Sequence, residues 1–346
     1  MKKRTGKIFR FAALVFAALV VVGVVAVSWQ YLALAAPAMR RDYELRLSTG
    51  GDIRTLFDSL DNSGAVRNPA RLRRAASLLS LDEGHYHPGA YRLGHGMNYI
   101  RLVRTLQRGL QSPVRVTFNN IRSLTALAAA LSRQLEPDSA AFARTLTDPE
   151  TAARFGFTPR TFMAMFIPDT YEFYWTATPV SFVERMSKEY SRFWNEERLA
   201  RLAPLAMTRE QVSTLASIVY EETKKSDEMA TVAGVYINRL RLGMPLQADP
   251  TVKFAVGDFT LKRLLNCHKT VDSPYNTYKY PGLPPGPISM PSVRAIDAVL
   301  GYQHHNYLYF CARADFSGYH TFSVTLAQHE RCATEYHRAL DHLGIR

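Results

Sequence analysis

Two adjacent acidic residues, Glu221 and Glu222, stand near the end of a predicted helix that begins at Thr208, where Gln211 completes a capping-box pattern. The apolar residues of this helix recur with the i, i+3, i+4, i+7 spacing of a buried face. They are Val212, Leu215, Ala216 and Val219. Glu222 occupies the next position on that face, whereas Glu221 lies roughly 200° around the helix from Val219 and is expected to face water.

A carboxyl group on a buried face costs free energy unless it is paired or protonated. Burial raises the pKa of a carboxyl group, and a raised pKa is what a general acid needs near neutral pH. The spacing therefore predicts Glu222 as a general acid. Two other interpretations stay open on periodicity alone: the helix ends before residue 222, or Glu222 forms an ion pair with Lys224, Lys225 or Arg239.

Other catalytic motifs find weak support. His329 and Glu330 begin an HExxH pattern, but its second histidine is missing. The chain has neither a Gly-x-Ser-x-Gly nucleophile elbow nor a phosphate-binding Gly-x-x-x-x-Gly-Lys loop. Cys267, Cys311 and Cys332 show neither CxxC nor zinc-ligand spacing, so no metal and no cofactor are expected. One disulfide with a spare thiol and three free cysteines both stay open.

Composition and charge narrow the class of protein. A chain of 346 residues that is 47% hydrophobic and 21% charged can bury a sizeable core, which excludes a disordered protein. The formal net charge is +13, and five of the positive charges lie within the first ten residues. The remaining charge of about +8 includes no comparable basic run, so nucleic-acid binding is not expected.

The amino terminus predicts a membrane-spanning helix at residues 11–36, behind a basic tail at residues 1–10. No Asp, Glu, Lys or Arg occurs from Phe11 to Met39, and this run exceeds the roughly 20 apolar residues that a span needs. The positive-inside rule holds the basic tail in the cytoplasm. We therefore expect a single-pass protein of the inner membrane with its folded part outside the cytoplasm, in the periplasm. A cleaved signal peptide is the alternative, because small residues such as Ala36 suit cleavage.

Two stretches, residues 43–112 and 113–205, repeat the same order of predicted elements: strand, helix, helix, strand, helix. A Pro-x-x-Tyr sequence enters the second strand of each at Pro88 and Pro168, an offset of 80 residues. These stretches predict two small α+β modules without catalytic residues. An aromatic cluster in the second stretch is open to interpretation as core or as a sugar-stacking surface. It consists of Tyr171, Phe173, Tyr174 and Trp175.

The last region, residues 206–346, is predicted as a mixed α/β catalytic domain, with helices first, ordered loops with short strands at 243–291, and two strands before a closing helix. It contains seven blocks in order: LASIVYEET (215–223), VAGVYINRL (232–240), LQADPTV (246–252), SPYNTY (273–278), GLPPGPI (282–288), YLYF (307–310) and HTFS (320–323). Together these blocks resemble the catalytic domain of the endolytic murein transglycosylase family. The resemblance implies an α+β architecture with one amino-terminal transmembrane helix, two LysM-like modules and this domain.

The resemblance also implies a reaction, cleavage of the β-1,4 bond between N-acetylmuramic acid and N-acetylglucosamine inside a peptidoglycan strand. The product carries a 1,6-anhydro end, because one glutamate acts first as acid and then as base and no water is added. A hydrolase with two carboxylates would need a partner acid. The family motif Ile-Val-Glu-x-Glu has Tyr220 at its first acidic position here, so Glu222 is expected to be catalytic and Glu221 is the fallback.

Further residues fall on the family's glycan cleft, where amides and hydroxyls hold sugar groups. They are Glu228, Asn238, Arg239, Gln247, Asp249, Tyr275, Asn276, Thr277 and Tyr278. Each also has a structural interpretation; Glu228, for example, suits the first turn of any helix. A second departure from the family lies at residues 119–121, where Asn-Asn-Ile replaces a Glu-Gly pair.

Three functions are weighed. The first is an anchored enzyme that acts on nascent peptidoglycan, beside membrane-bound peptidoglycan synthases. The second is a catalytically inactive peptidoglycan-binding or synthase-scaffolding protein of the same fold. The third, a basic binder of extracytoplasmic polymers, rests only on net charge. The presence of Glu222 favours the enzyme, since an inactive scaffold would be free to lose that acid.

Overall fold

The computed structural model describes residues 2–82, 87–261 and 264–342, and it is a mixed α+β structure as predicted. The chain forms two compact units, one of residues 1–114 with 172–176 and the other of residues 115–171 with 177–346. The three-part division at residues 112/113 and 205/206 stays a prediction.

The amino terminus forms helix α1, Lys2–Ala35. Its segment Phe11–Ala35 has 25 residues and contains an 18-residue window with a mean hydropathy of 2.8, none of which is buried. At 1.5 Å per residue the segment is about 38 Å long, enough to cross a hydrocarbon core of about 30 Å. By length and composition α1 is a candidate membrane span, and its orientation stays a prediction.

The first unit continues with the predicted order of strand, helix, helix, strand, helix. These elements are β1 (Tyr43–Leu47), α2 (Ile53–Asn62), α3 (Pro69–Leu78), β2 (Gly89–Leu93) and α4 (Tyr99–Gln107). The strands pair antiparallel, from Tyr43 opposite Leu93 to Leu47 opposite Gly89. Alternate residues of β1, Leu45 and Leu47, enter a core that also holds one face of each helix.

A similar but longer series follows along the chain and lies mostly in the second unit. It comprises β3 (Val114–Phe118), α5 (Leu124–Ser132), α6 (Ser139–Leu146), α7 (Pro149–Arg154), a 3₁₀ turn (Phe162–Met165), β4 (Asp169–Phe173), α8 (Pro179–Phe193) and α9 (Glu196–Ala200). The short helix α7 is absent from the predicted repeat; Asp148 caps its amino end and Pro149 occupies its first turn. Of the aromatic cluster, Phe173 is buried and Tyr171 stacks on Phe118, whereas Tyr174 is exposed.

The remaining elements of the second unit carry the candidate site. They are α10 (Arg209–Glu222), α11 (Met229–Arg241), α12 (Asp249–Val256), α13 (Asn266–Lys269), α14 (Val293–Leu300), β5 (Tyr309–Ala312), β6 (His320–Ser323) and α15 (Leu326–His342). Strands β5 and β6 pair antiparallel. The predicted capping box is present: Gln211 N donates to Thr208 Oγ1 at 3.2 Å, and Thr208 N donates to Gln211 Oε1 at 2.8 Å.

Helix α10 is more deeply buried than an amphipathic pattern predicts. All eight residues from Val212 to Val219 are buried, including the polar Ser213, Thr214 and Ser217. Two of these polar residues find partners in the interior: Ser217 Oγ accepts from Ile288 N at 3.0 Å and donates to Thr214 O, and Thr214 Oγ1 donates to Glu210 O at 2.7 Å. Helices α11, α12 and α14 all contact α10, which is therefore central to this part of the unit.

The prediction of short strands between residues 243 and 291 was wrong for the described residues. This stretch instead contains α12 and α13. Pro250 lies in the first turn of α12, and Gly257 ends the helix in the left-handed conformation at φ +78°. This proline and glycine, which the prediction took for loop residues, are start and stop signals of a helix. None of the three cysteines forms a disulfide.

Candidate active site

Glu222 is the last residue of α10, so the interpretation that the helix ends before it was wrong. Its Oε1 accepts a hydrogen bond of 2.7 Å from the hydroxyl of Tyr236, a buried residue of α11. Among the described residues Glu222 forms no ion pair. Lys224 donates instead to Tyr220 O, and Lys225 lies over the ring of Tyr319.

Burial raises the pKa of Glu222 to about 7, and the negative charge of Asp249 adds to the rise. The hydrogen bond from Tyr236 and the positive charges of Lys253 and Arg239 oppose it. Near pH 7 about half of the molecules therefore carry a protonated Glu222. A carboxyl group in this state can donate a proton and then, as a carboxylate, accept one.

A cleft of about 280 Å³ opens at Glu222. Its walls come from α10, α11, the segment before α12, the first residue of α12, the loop after α13, β5 and α15. The lining residues are Glu222, Tyr236, Arg239, Leu246, Gln247, Asp249, Tyr278, Phe310 and His329. Five of the predicted site residues line this cleft together, namely Glu222, Arg239, Gln247, Asp249 and Tyr278.

Gln247 lines the cleft in an unusual backbone conformation, with φ +51°. A residue other than glycine costs about 1–2 kcal/mol there, so the surrounding structure must impose it. The neighbouring segment supplies the restraint: Gln247 N donates to Thr277 O at 3.0 Å, and Ala248 N donates to Thr277 Oγ1 at 3.0 Å. Thr277 is buried and serves as this support; it does not line the cleft.

Asp249 and Tyr278 form a pair on the cleft wall, in which the Tyr278 hydroxyl donates to Asp249 Oδ1 at 2.5 Å. Burial, with the bond to Asp249, raises the pKa of Tyr278, so its hydroxyl keeps its proton. Asn276 positions this tyrosine: its Oδ1 accepts from Tyr278 N, while its Nδ2 donates to two backbone carbonyls of the preceding turn. Tyr275 packs against Phe254 outside the cleft lining.

The side chains of Arg239 and Asn238 donate hydrogen bonds to backbone carbonyls of the segments that precede β5 and α12. Arg239 Nε donates to Leu308 O at 2.7 Å, and its Nη1 donates to Leu246 O at 2.8 Å. Asn238 Nδ2 donates to the carbonyls of His305 and Tyr307 at 2.8 and 3.1 Å. Arg239 thus faces the cleft with its charge while its hydrogen bonds fix the walls.

Glu228 lies outside the residues that line the cleft. Its Oε1 accepts from His320 N at 2.8 Å, and its Oε2 is 3.0 Å from His320 Nδ1. The carboxylate is buried and joins the start of α11 to β6. Its contacts are those of a structural tie between α11, which carries cleft residues, and β6, the partner strand of β5.

Glu221 does not face water as predicted. Its side chain is only 11% exposed, and its Oε2 lies 2.7 Å from Arg122 Nη2 in an ion pair. The prediction was wrong because Arg122, in the segment after β3, reaches this side of α10, and its guanidinium also lies over the ring of Phe259. Glu221 thus forms an ion pair with Arg122 and is not among the residues that line the cleft.

Sequence reasoning missed four lining residues, Tyr236, Leu246, Phe310 and His329. Tyr236 had a usable signal, because a tyrosine on a buried helical face needs a partner for its hydroxyl. His329 was considered only as part of an incomplete metal motif. Among the described residues, no group of three or more His, Cys, Asp or Glu side chains is arranged to hold a metal ion.

The fold and this cleft agree with a family relationship. A model of the YceG-like family matches residues 45–335, and the chain belongs to this family. The crystal structure of a YceG-like protein from Listeria monocytogenes, determined at 2.6 Å, matches with a TM-score of 0.58 and 25% identity. The match covers 84% of this chain and 99% of that one.

Two relatives with assigned names confirm the resemblance found in the seven blocks. The endolytic murein transglycosylase of Bacillus subtilis (strain 168) is 27% identical over 266 residues, which are 72% of this chain and 73% of the relative. The endolytic murein transglycosylase of Streptococcus pneumoniae serotype 2 (strain D39) is 32% identical over 153 residues. That match spans 42% of this chain and 27% of the relative.

Proposed function

We propose that this protein is a lytic transglycosylase that cleaves peptidoglycan strands at internal glycosidic bonds, with Glu222 as its catalytic residue. The observation that carries the proposal is a carboxyl group with a pKa of about 7 in a cleft, held by the hydroxyl of Tyr236. Membership of the YceG-like family and the names of the two relatives support the substrate class.

The proposed reaction breaks the β-1,4 bond between N-acetylmuramic acid and N-acetylglucosamine. Protonated Glu222 donates to the glycosidic oxygen as its bond to C1 of the muramic residue breaks. The resulting carboxylate accepts the proton of the C6 hydroxyl as that oxygen bonds to C1, which closes a 1,6-anhydro ring and returns Glu222 to its protonated form. Because Tyr236 already donates to Oε1, Oε2 is the oxygen left to carry the transferred proton.

Asp249 is the second carboxylate of the cleft, and it gives a hydrolase as the alternative reaction. A glycosidase that adds water uses a second carboxylate as base or nucleophile. The hydroxyl of Tyr278 already bonds one oxygen of Asp249, which favours an electrostatic role in keeping Glu222 protonated. The products separate the two reactions, since a hydrolase leaves reducing ends.

The remaining parts of the proposal concern place and partners. The apolar segment Phe11–Ala35 supports a membrane anchor, and an amino terminus in the cytoplasm would put the cleft on the side where peptidoglycan lies. An anchored enzyme would act on nascent strands near the membrane, beside peptidoglycan synthases. The elements within residues 43–112 and 113–205 are proposed as LysM-like modules that hold glycan or position the catalytic region.

The test is a digest of purified, uncrosslinked glycan strands by the full-length protein and by Glu222→Gln, with product ends resolved by mass. We expect 1,6-anhydro ends from the wild type and none above background from the variant, with both proteins unfolding at similar temperatures. Reducing ends would identify a hydrolase. Strands that bind without being cut would identify an inactive binding or scaffolding protein.

A further inference from the structure

His329 lies in α15 and lines the same cleft as Glu222, although no catalytic or binding motif includes it. Its ring stacks on Tyr309 of β5, with centroids 5.4 Å apart and an angle of 20° between the planes. The stack fixes the plane of the imidazole, because one face is covered by a ring that belongs to the sheet. The edge of the imidazole is thus held in place at the cleft.

The two ring nitrogens of His329 differ in their surroundings. Nδ1 is buried and has no hydrogen-bond partner among the described residues. The ring as a whole is only partly buried and lines the cleft, and Nε2 is not among the enclosed atoms without a partner, so we infer that Nε2 is the nitrogen open to the cleft. A buried N–H without a partner is rarer in proteins than an under-satisfied acceptor. The favoured tautomer therefore carries its proton on Nε2 and directs a donor into the cleft.

Burial lowers the pKa of His329 below its ordinary value of 6.5, and the positive charge of Arg239 lowers it further. The imidazole is consequently neutral near pH 7, where Glu222 is about half protonated. Glu222 then holds a proton more tightly than His329 does. This order does not favour the histidine as a base toward Glu222, and its place at the cleft suits the role of a neutral hydrogen-bond donor.

We propose that His329 is a substrate-binding residue whose Nε2–H donates a hydrogen bond to an oxygen of the sugar bound beside Glu222. The sugar supplies suitable acceptors in its acetamido carbonyl and its hydroxyl oxygens. This inference rests on the proposed function, since it takes a glycan strand as the ligand. The donor holds the sugar in register with Glu222 and takes no part in proton transfer.

Two substitutions separate the effect of the Nε2–H donor from the effect of stacking on Tyr309. His329→Phe keeps a flat ring against Tyr309 and removes the donor, whereas His329→Gln keeps an N–H near the position of Nε2 and removes the ring. We expect His329→Phe to lower kcat/KM about 10- to 100-fold, mostly through KM, because a sugar oxygen loses its partner. His329→Gln should stay within about 3-fold of the wild type. In both His329 variants the loss of activity at high pH, which follows deprotonation of Glu222, should occur at the same pH as in the wild type.

The matched control is His337→Phe, the same change at an exposed histidine of the same helix. It should leave KM and kcat unchanged. Wild-type kinetics in His329→Phe would overturn the inference. Equal losses in both His329 variants, together with lower unfolding temperatures, would also overturn it, because they would indicate a structural role for the residue.

A binding measurement keeps this inference separate from the proposed reaction. The affinity of Glu222→Gln for purified glycan strands is compared with that of the double variant Glu222→Gln, His329→Phe. We expect weaker binding by the double variant, by about the factor seen in KM, whatever ends the wild-type enzyme produces. Equal binding by the two would overturn the role of His329 even if anhydro ends are formed.

Discussion

Two adjacent glutamates, Glu221 and Glu222, lie on opposite sides of the end of α10 and have different partners. On one side Glu221 pairs with the guanidinium of Arg122, and on the other Glu222 meets the neutral hydroxyl of Tyr236 in an open cleft. Burial and the negative charge of Asp249 favour the protonated form of Glu222, although the hydrogen bond from Tyr236 opposes it. The two acids therefore differ in the charge of the group that each one meets, a cation for Glu221 and a neutral hydroxyl for Glu222.

The largest expected effect is the difference in activity between the two acids. Glu222→Gln should lower the rate of glycan cleavage by about 100- to 10,000-fold, because general acid catalysis is lost. Glu221→Gln keeps the cleft intact and should retain the rate within about 10-fold. Initial rates of product release from uncrosslinked strands measure both. A larger loss of rate in Glu221→Gln than in Glu222→Gln would identify Glu221 as the general acid.

Removal of Arg122 tests whether its ion pair with Glu221 stabilises the fold. Arg122→Ala leaves the Glu221 carboxylate nearly enclosed without its cation, and should lower the free energy of unfolding by about 2–4 kcal/mol. Denaturant unfolding of the full chain in detergent measures the loss. The control is Arg154→Ala, which breaks an exposed pair with Glu184 and should cost less than about 1 kcal/mol.

The double variant Arg122→Ala, Glu221→Gln extends this test. It removes the stranded charge and should recover part of the stability lost in Arg122→Ala. No recovery would mean that Arg122 acts through packing against Phe259 and not through the ion pair.

Removal of the Glu222 carboxyl group should have the opposite effect on stability from removal of Arg122. Because the pKa of Glu222 is raised from 4.5 to about 7 on folding, the native state binds its proton more tightly than the unfolded state. The contribution of Glu222 to stability is thus present below about pH 4.5 and lost as pH rises through about 7. Glu222→Gln should exceed the wild type by about 1–3 kcal/mol at pH 8 and match it near pH 4. Thermal unfolding of both proteins between pH 4 and pH 8 measures this difference in stability. A difference that did not change with pH would contradict the raised pKa of Glu222.

The smallest expected effect concerns Asp249. Its negative charge raises the pKa of Glu222, so Asp249→Asn should move the loss of activity at high pH toward lower pH. Asparagine keeps an oxygen that can accept from Tyr278, so the cleft wall is retained. The pH profile of kcat/KM measures the shift. A complete loss of activity at every pH would favour the hydrolase, in which Asp249 is the second catalytic carboxylate.

Local signals predicted much of the scaffold. The spacing of apolar residues identified α10 and the position of Glu222 on its face, and Thr208 with Gln211 identified its start. The order of elements in residues 43–112 followed from alternation and helical periodicity. The helix α12 was missed because a proline and a glycine at its two ends were taken for loop residues.

The hydrogen-bond and ion-pair partners of the site residues could not be predicted from the sequence. Arg122 and Glu221 are 99 residues apart in the chain, and Asn238 bonds to carbonyls 67 and 69 residues away. His329 comes to the cleft from the closing helix, over 100 residues after Glu222. No periodic pattern links positions so distant, because a pattern reports only the surroundings of its own element.

The sequence by itself determined the apolar amino-terminal segment, the helix that carries the acid, and the family to which the chain belongs. These depend on residue types and on spacings within one element. Only the tertiary structure decided that Glu221 is neutralised by Arg122, that Tyr236 meets Glu222, and that an imidazole edge faces the cleft. The physical reason is that pKa and hydrogen bonding depend on distances in space, which folding sets.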